Sequence, residues 1–200
     1  MADHYFDRTP SSDDRRQDVT AVVWGRELTF TTASGVFSHG GLDKATAVLL
    51  GASTPPTSGV VLDLGCGWGP IACSVAAAPA DDPAGRTVWA VDVNERALEL
   101  TRLNAERLGA DVRAVLPDEV PDDLVVDHLW SNPPIRIGKQ ALHDLLLRWL
   151  PRLSPDGTAR LVVGRNLGAD SLQRWLGEQG WPTTRIGSEK GFRLLEVRRP

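Results

Sequence analysis

Val61-Leu62-Asp63-Leu64-Gly65-Cys66-Gly67-Trp68-Gly69 is the stretch that decides how this chain is read. A short apolar run gives way to alternating glycines, then to a helical pattern from about Ile71 to Ala78. Glycine lets the backbone turn sharply between strand and helix and lets a ligand approach the main chain. Such a loop alone is shared by many nucleotide sites and by plain turns. Two acids narrow it. Asp63 stands just before the glycines, where an anion would repel a pyrophosphate lodged at the helix start. Asp92 ends the next apolar run, where a carboxylate accepts hydrogen bonds from both ribose hydroxyls. Either acid alone reads equally as a turn aspartate or a strand end. Together they favour a nucleoside with positive charge and no phosphate. S-adenosylmethionine, cationic at its ammonium and its sulfonium, is the cofactor this predicts, with Asp63, Gly65, Cys66, Gly67, Gly69, Asp92 and Val93 around it.

Outward from the loop, strand and helix patterns alternate. Strands are predicted at Val60–Leu64, Val88–Val91, Val112–Leu116, Val125–Trp130 and Ala159–Val163. Helices are predicted at Glu95–Leu108, with Asn94 as its cap, at Gln140–Leu150 and at Ser171–Glu178. This order implies an α/β fold whose mostly parallel sheet carries helices on both faces. Upstream, Val19, Ala21 and Val23 alternate, Gly25 breaks the run, and Leu28 and Phe30 alternate again, which predicts an N-terminal hairpin. A helix over Leu42–Leu50 follows. Downstream, Thr183–Ile186 and Phe192–Val197 flank a turn at Gly187–Gly191, so the sheet should close on an antiparallel strand. Residues 1–17 are polar and read as a flexible arm, with one domain from 18 to 200.

Composition sets limits. The chain of 200 residues is 42% hydrophobic and 24% charged, the balance of a globular domain with a real core. No run is long enough to suggest a membrane span. Its start, Met1-Ala2-Asp3-His4, has no basic segment followed by an apolar one, so a cytoplasmic protein is expected. Two cysteines, Cys66 and Cys73, make no disulfide framework, and no Cys and His have zinc-site spacing, so no metal is expected. The net charge of −4 rules out binding nucleic acid by bulk charge; any RNA contact must be local. DNA is not an expected partner.

The second deciding motif is Trp130-Ser131-Asn132-Pro133-Pro134-Ile135, at the end of a predicted strand. Ligands in open α/β sheets bind at such strand ends, near the switch in strand order. The Asn132 side-chain oxygen and the Pro133 carbonyl can each accept one hydrogen of a single amino group. Held so, the nitrogen lone pair leaves conjugation and faces a methyl donor. Pro133 and Pro134 stiffen the loop and bring no N–H. Asn132, Pro133 and Pro134 are therefore the candidate catalytic residues, with Asn132 also bordering the cofactor.

On these motifs the chain resembles the small methyltransferase-domain family that includes the bacterial 16S ribosomal RNA guanine-N2 methyltransferases. The likeness runs through Gly35-Val36-Phe37-Ser38 with Gly41-Leu42-Asp43, Asp63 to Gly69, Asp92-Val93-Asn94, Asn132 to Arg136 with Gly138-Lys139, and Lys190-Gly191-Phe192-Arg193. It implies a Rossmann-like seven-stranded sheet with the last strand antiparallel. It also implies methylation of an exocyclic amine of RNA, most directly guanine N2, with ribosomal RNA or a ribosomal subunit as partner. It places Asp118 at the adenine amino group, in a register blurred by Pro117. Two departures stand out. Ile135 follows the prolines where many amino-methyltransferases carry an aromatic, so stacking would fall to Phe37, Trp68, Trp130 or Phe192. The larger ribosomal members also have an N-terminal domain without counterpart in these residues.

Phe37, Ile135, Arg136 and Lys139 are the candidate substrate contacts, with Arg148 and Arg152 as further rim cations. Ser38 and Asp43 could order the loop over the site. His39, His128 and His143 lack triad or metal spacing. Two other readings stay open: methyl transfer to a protein glutamine amide or small molecule, and a cofactor-binding adaptor without catalysis.

Overall fold

Val61 and Leu62 sit side by side in one strand yet belong to two different cores, and that alternation organises the molecule. A computed structural model describes residues 13–80 and 85–200, apart from the side chain of Arg136; the first twelve residues of the expected arm lie outside it. The strands are β1 (Arg16–Val23), β2 (Arg26–Ala33), β3 (Gly59–Leu64), β4 (Arg86–Val91), β5 (Arg113–Val115), β6 (Val126–Ser131), β7 (Leu153–Gly164), β8 (Thr183–Glu189) and β9 (Phe192–Arg198). The helices are α1 (Lys44–Gly51), α2 (Pro70–Ala77), α3 (Glu95–Arg107), α4 (Lys139–Trp149) and α5 (Ala169–Glu178).

β1 and β2 form the predicted hairpin, and the other seven strands form one sheet in the order β5-β4-β3-β6-β7-β9-β8. β3 to β7 pair in parallel, and β9 runs antiparallel to both its neighbours. This is the Rossmann-like arrangement expected from the sequence. Val61, Trp130 and Val162 face a core shared with the hairpin, α1, α2 and α3. Leu62, Leu129, Leu161 and Val163 face the opposite core, built with α4 and α5.

The chain leaves β3 in one direction for β4 and β5, then returns to lay β6 on the other side of β3. That reversal opens a crevice at the carboxyl ends of β3 and β6. The glycine loop follows β3, and Asn132 follows β6. Register puts Asp63 opposite Trp130, and the Ser131 hydroxyl donates to the Leu64 carbonyl at 2.6 Å, fixing the two strand ends together.

Element edges moved where a local cap or pairing overrode the pattern. α1 starts at Lys44 because Asp43 caps it through the amides of Ala45 and Thr46. β1 starts at Arg16, two residues before the expected domain start, because the hairpin register carries on to Arg16 opposite Ala33. β7 begins well before Ala159, at Leu153, pairing there with Val126 before a register shift.

Asn104 of α3 joins the layers. Its side-chain oxygen accepts the Thr31 amide at 2.6 Å, and its Nδ2 donates to the carbonyls of Thr31 and Trp68 at 2.9 and 2.8 Å. One fully buried side chain thus binds β2 and the glycine loop to α3. Asn104→Ala leaves three backbone groups unpaired in the core. The expected cost is about 3 kcal/mol, seen as a lower urea midpoint with an unchanged m value.

Candidate active site

The glycine loop is stitched to the end of β4. The amides of Gly65 and Cys66 both donate to the Val91 carbonyl, at 2.8 and 3.1 Å. The Gly67 amide then donates to Asp92 Oδ2 and the Asn94 amide to Asp92 Oδ1, each at 2.9 Å. Burial pushes the Asp92 carboxyl upward, and the amides of Asn94, Gly67 and Val93 oppose that push. With three amides on its two oxygens, the carboxylate still has capacity for a further donor. Gly67 has a positive φ of 57°, and a Cβ built there meets nothing within 4 Å, so its surface is open to the crevice. Gly65 faces the other motif: a Cβ on it would lie 3.7 Å from Pro134 Cδ.

Three of the predicted cofactor residues support the loop from beneath instead of lining the crevice. Asp63 is wholly buried, and its Oδ2 accepts the Ala72 amide of α2 at 2.9 Å. Burial pushes its pKa up to about 8, the Ala72 amide opposes this, and the charge of Asp92 adds to it. At neutral pH Asp63 is therefore a neutral acid that holds the helix start, not the anion its position in sequence suggested. Gly69 is needed for packing: at φ 84°, a Cβ there would come within 2.8 Å of Thr101 Cγ2. Cys66 turns its thiol to Thr101 at 3.7 Å, and burial pushes that thiol's pKa well up. Cys66 borders, beside the main cavity, a small recess whose lining includes Asp43, Gly65, Gly67 and Asn132 of the site.

Asn132 is held by α1. Its Nδ2 donates to Asp43 Oδ2 at 2.9 Å and to Thr46 Oγ1 at 3.1 Å, which leaves Oδ1 as the unengaged end of the carboxamide. The same Asp43 oxygen accepts the Ala45 and Thr46 amides at 2.8 and 3.2 Å. The Pro133 carbonyl accepts the Ile135 amide at 2.8 Å, closing a tight turn over Pro134 at φ −74°, ψ 74°. Its second lone pair remains available.

Between these groups lies a cavity of about 410 Å³, within the usual range for small-ligand sites. Gly65, Gly67, Asp92, Val93 and the three residues from Asn132 to Pro134 all border it. Pro117, Leu145 and Trp149 wall one end; Val162, Leu167 and Phe192 belong to the same lining. Phe37 and Ile135 border it too. The segment carrying Phe37 is anchored by Asn94 Nδ2 on the Gly35 carbonyl at 3.0 Å and by Arg96 on the Ser34 carbonyl at 2.9 Å. Phe37 is 47% exposed, unlike Trp68 and Trp130, which are buried edge-on to Phe30 and Trp24.

Other expected residues fall elsewhere. Asp118 is exposed in the turn after β5, and the cavity touches its neighbour Pro117 instead. Lys139 opens α4 on the surface, away from the lining. The Arg136 side chain lies outside the described residues. Arg148, by contrast, belongs to the cavity lining and donates to the Pro117 carbonyl at 3.1 Å, while Arg152 reaches the Pro121 carbonyl at 2.6 Å; both guanidinium groups lie over the Trp149 ring. Asp43 and Thr46 are the contributors that the sequence underrated. Their only local signal was that of a helix cap.

The sequence profile of the methyltransferase small domain family matches residues 27–196. The uncharacterised YbxB protein of Bacillus subtilis (strain 168) is 31% identical over 100% of both chains. The ribosomal RNA small subunit methyltransferase C of Pseudomonas aeruginosa (strain LESB58) is 35% identical over 86% of this chain and 52% of its own. The T. thermophilus 16S rRNA N2 methyltransferase RsmC, solved with AdoMet and guanosine, superposes with a TM-score of 0.79. That likeness covers 92% of this chain and 51% of the other at 23% identity, and is one of fold. The chain thus spans about half the length of the two ribosomal RNA methyltransferases it matches.

The buried acid has a measurable signature. With a pKa of about 8 folded and about 4 unfolded, Asp63 keeps a proton in the folded chain that the unfolded chain has lost. Its contribution is complete below about pH 4 and is lost as pH rises through 8. Asp63→Asn keeps an acceptor for the Ala72 amide and never ionises. Between pH 5 and pH 8, wild type is expected to lose at least about 2 kcal/mol relative to this variant in urea unfolding. A difference that does not change with pH would refute the assignment.

Proposed function

Because this chain belongs to the methyltransferase small domain family, we propose that it transfers the methyl group of S-adenosylmethionine to an exocyclic amine of RNA, the N2 of a guanine in ribosomal RNA. The observation that carries this reading is the Asn132 carboxamide, pinned through its nitrogen and placed beside the glycine bend through the Gly65–Pro134 approach. The ribosomal RNA methyltransferases among the relatives and the guanosine in the T. thermophilus structure support the choice of base.

The crevice fits the donor. Asp92, bordering the cavity beside Gly67, is the acceptor for the ribose hydroxyls. Gly67 leaves an open shelf where any side chain would intrude, and Pro117, Leu145 and Trp149 supply apolar walls for a purine. When bound, the donor supplies a methyl group on a cationic sulfur that leaves as a neutral thioether, so no strong base is required. The protein's work is placement. Asn132 Oδ1 and the remaining lone pair of Pro133 take the two amine hydrogens, which turns the nitrogen lone pair out of the ring and toward the donor. Phe37, half-exposed on its anchored segment, is the stacking surface that replaces the aromatic missing at Ile135.

Asn132→Ala is expected to lower methyl transfer by at least about 100-fold. Donor affinity by calorimetry should stay within a few-fold of wild type. The assay is mass spectrometry of methylated guanosine in ribosomal RNA and subunits incubated with the purified protein. Full activity in the variant, or methyl groups only on protein, would overturn the proposal.

A further inference from the structure

We propose that Asp43 is a positioning residue: from the start of α1 it fixes which end of the Asn132 carboxamide faces the incoming amine. The proposal rests on the methyl-transfer reading for its purpose. Its geometry stands apart from that reading.

A carboxamide is nearly symmetric in shape and opposite in chemistry at its two ends. Turned over, Asn132 would present donors to an amine that needs an acceptor, and the site would be inverted without any change of backbone. Thr46 Oγ1, 3.1 Å from Nδ2, can donate as well as accept, so it tolerates either orientation. The Asp43 carboxylate only accepts. At 2.9 Å it attracts the NH2 end and repels the oxygen, and its charge strengthens the bond. The choice of orientation therefore falls on Asp43.

Asp43 is itself immobilised. The same Oδ2 takes the Ala45 and Thr46 amides at the N-terminus of α1, where an anion is favoured. Just upstream, the Ser38 hydroxyl donates to the Gly41 carbonyl at 2.7 Å and keeps the approach to the helix closed. The cap thus ties the start of α1 and the β6 loop to a single oxygen atom.

Two substitutions separate positioning from capping. Asp43→Ser keeps a good cap but is too short to serve the helix amides and Asn132 together. Asp43→Asn keeps the cap and an oxygen able to accept from Asn132. The first readout is hydrogen exchange of the Asn132 side-chain NH2 by nuclear magnetic resonance, with the signal identified by its absence in Asn132→Ala. The second is methyl transfer to ribosomal RNA. In Asp43→Ser the NH2 should lose its protection, and kcat should fall about 10- to 100-fold while KM and donor affinity hold within about threefold. Asp43→Asn should restore both. Asp43→Gly, another tolerated cap, replaces the serine variant if that one does not fold. An NH2 that stays protected without Asp43, or a loss that Asp43→Asn does not repair, overturns the assignment. If wild type methylates no RNA, the functional reading falls, and the exchange experiment still decides the role of Asp43.

Discussion

The hydrogen bond from the Ser131 hydroxyl to the Leu64 carbonyl, 2.6 Å long and closed to solvent, joins the ends of β3 and β6 where the sheet reverses its strand order. Parallel strands cannot be linked by a tight turn, so neighbours in the sheet come from distant sequence. Here the result is that a glycine bend and a pair of prolines, far apart in sequence, are close in space: a side chain added at Gly65 would place its Cβ 3.7 Å from Pro134 Cδ. A donor site and an acceptor site need that closeness, because methyl transfer in line gains its rate from alignment. Loosening this seam would separate the two halves of the site even if every side chain in each kept its own contacts.

Much of the architecture was legible because strand and helix periods are local. Val61 and Leu62 alternate between cores whatever surrounds them, and the Asn94 cap of α3 is written in residues 94–97. The two deciding motifs were legible for the same reason: glycines and prolines restrict backbone wherever they occur. The roles of Asp63 and Asp43 were not. Asp63 was read as an anion because its sequence position says nothing of burial, and burial makes it neutral at pH 7. Asp43 shows locally only as a cap, while its bond to Asn132 spans 89 residues. Asp118 failed for a third reason. Pro117 and the turn after β5 carry its carboxyl outward, and register at the end of a three-residue strand is weakly specified by pattern.

The two acids beneath and beside the glycine loop explain each other. Burial raises the pKa of Asp63, and the neighbouring Asp92 adds to the shift, as expected of like charges in a poorly solvated site. Asp92 has three amides to stabilise its charged form, from Asn94, Gly67 and Val93; Asp63 has one, from Ala72. The acid with a single amide partner is the one whose proton persists to neutral pH, while the burial of the other is opposed by three amides.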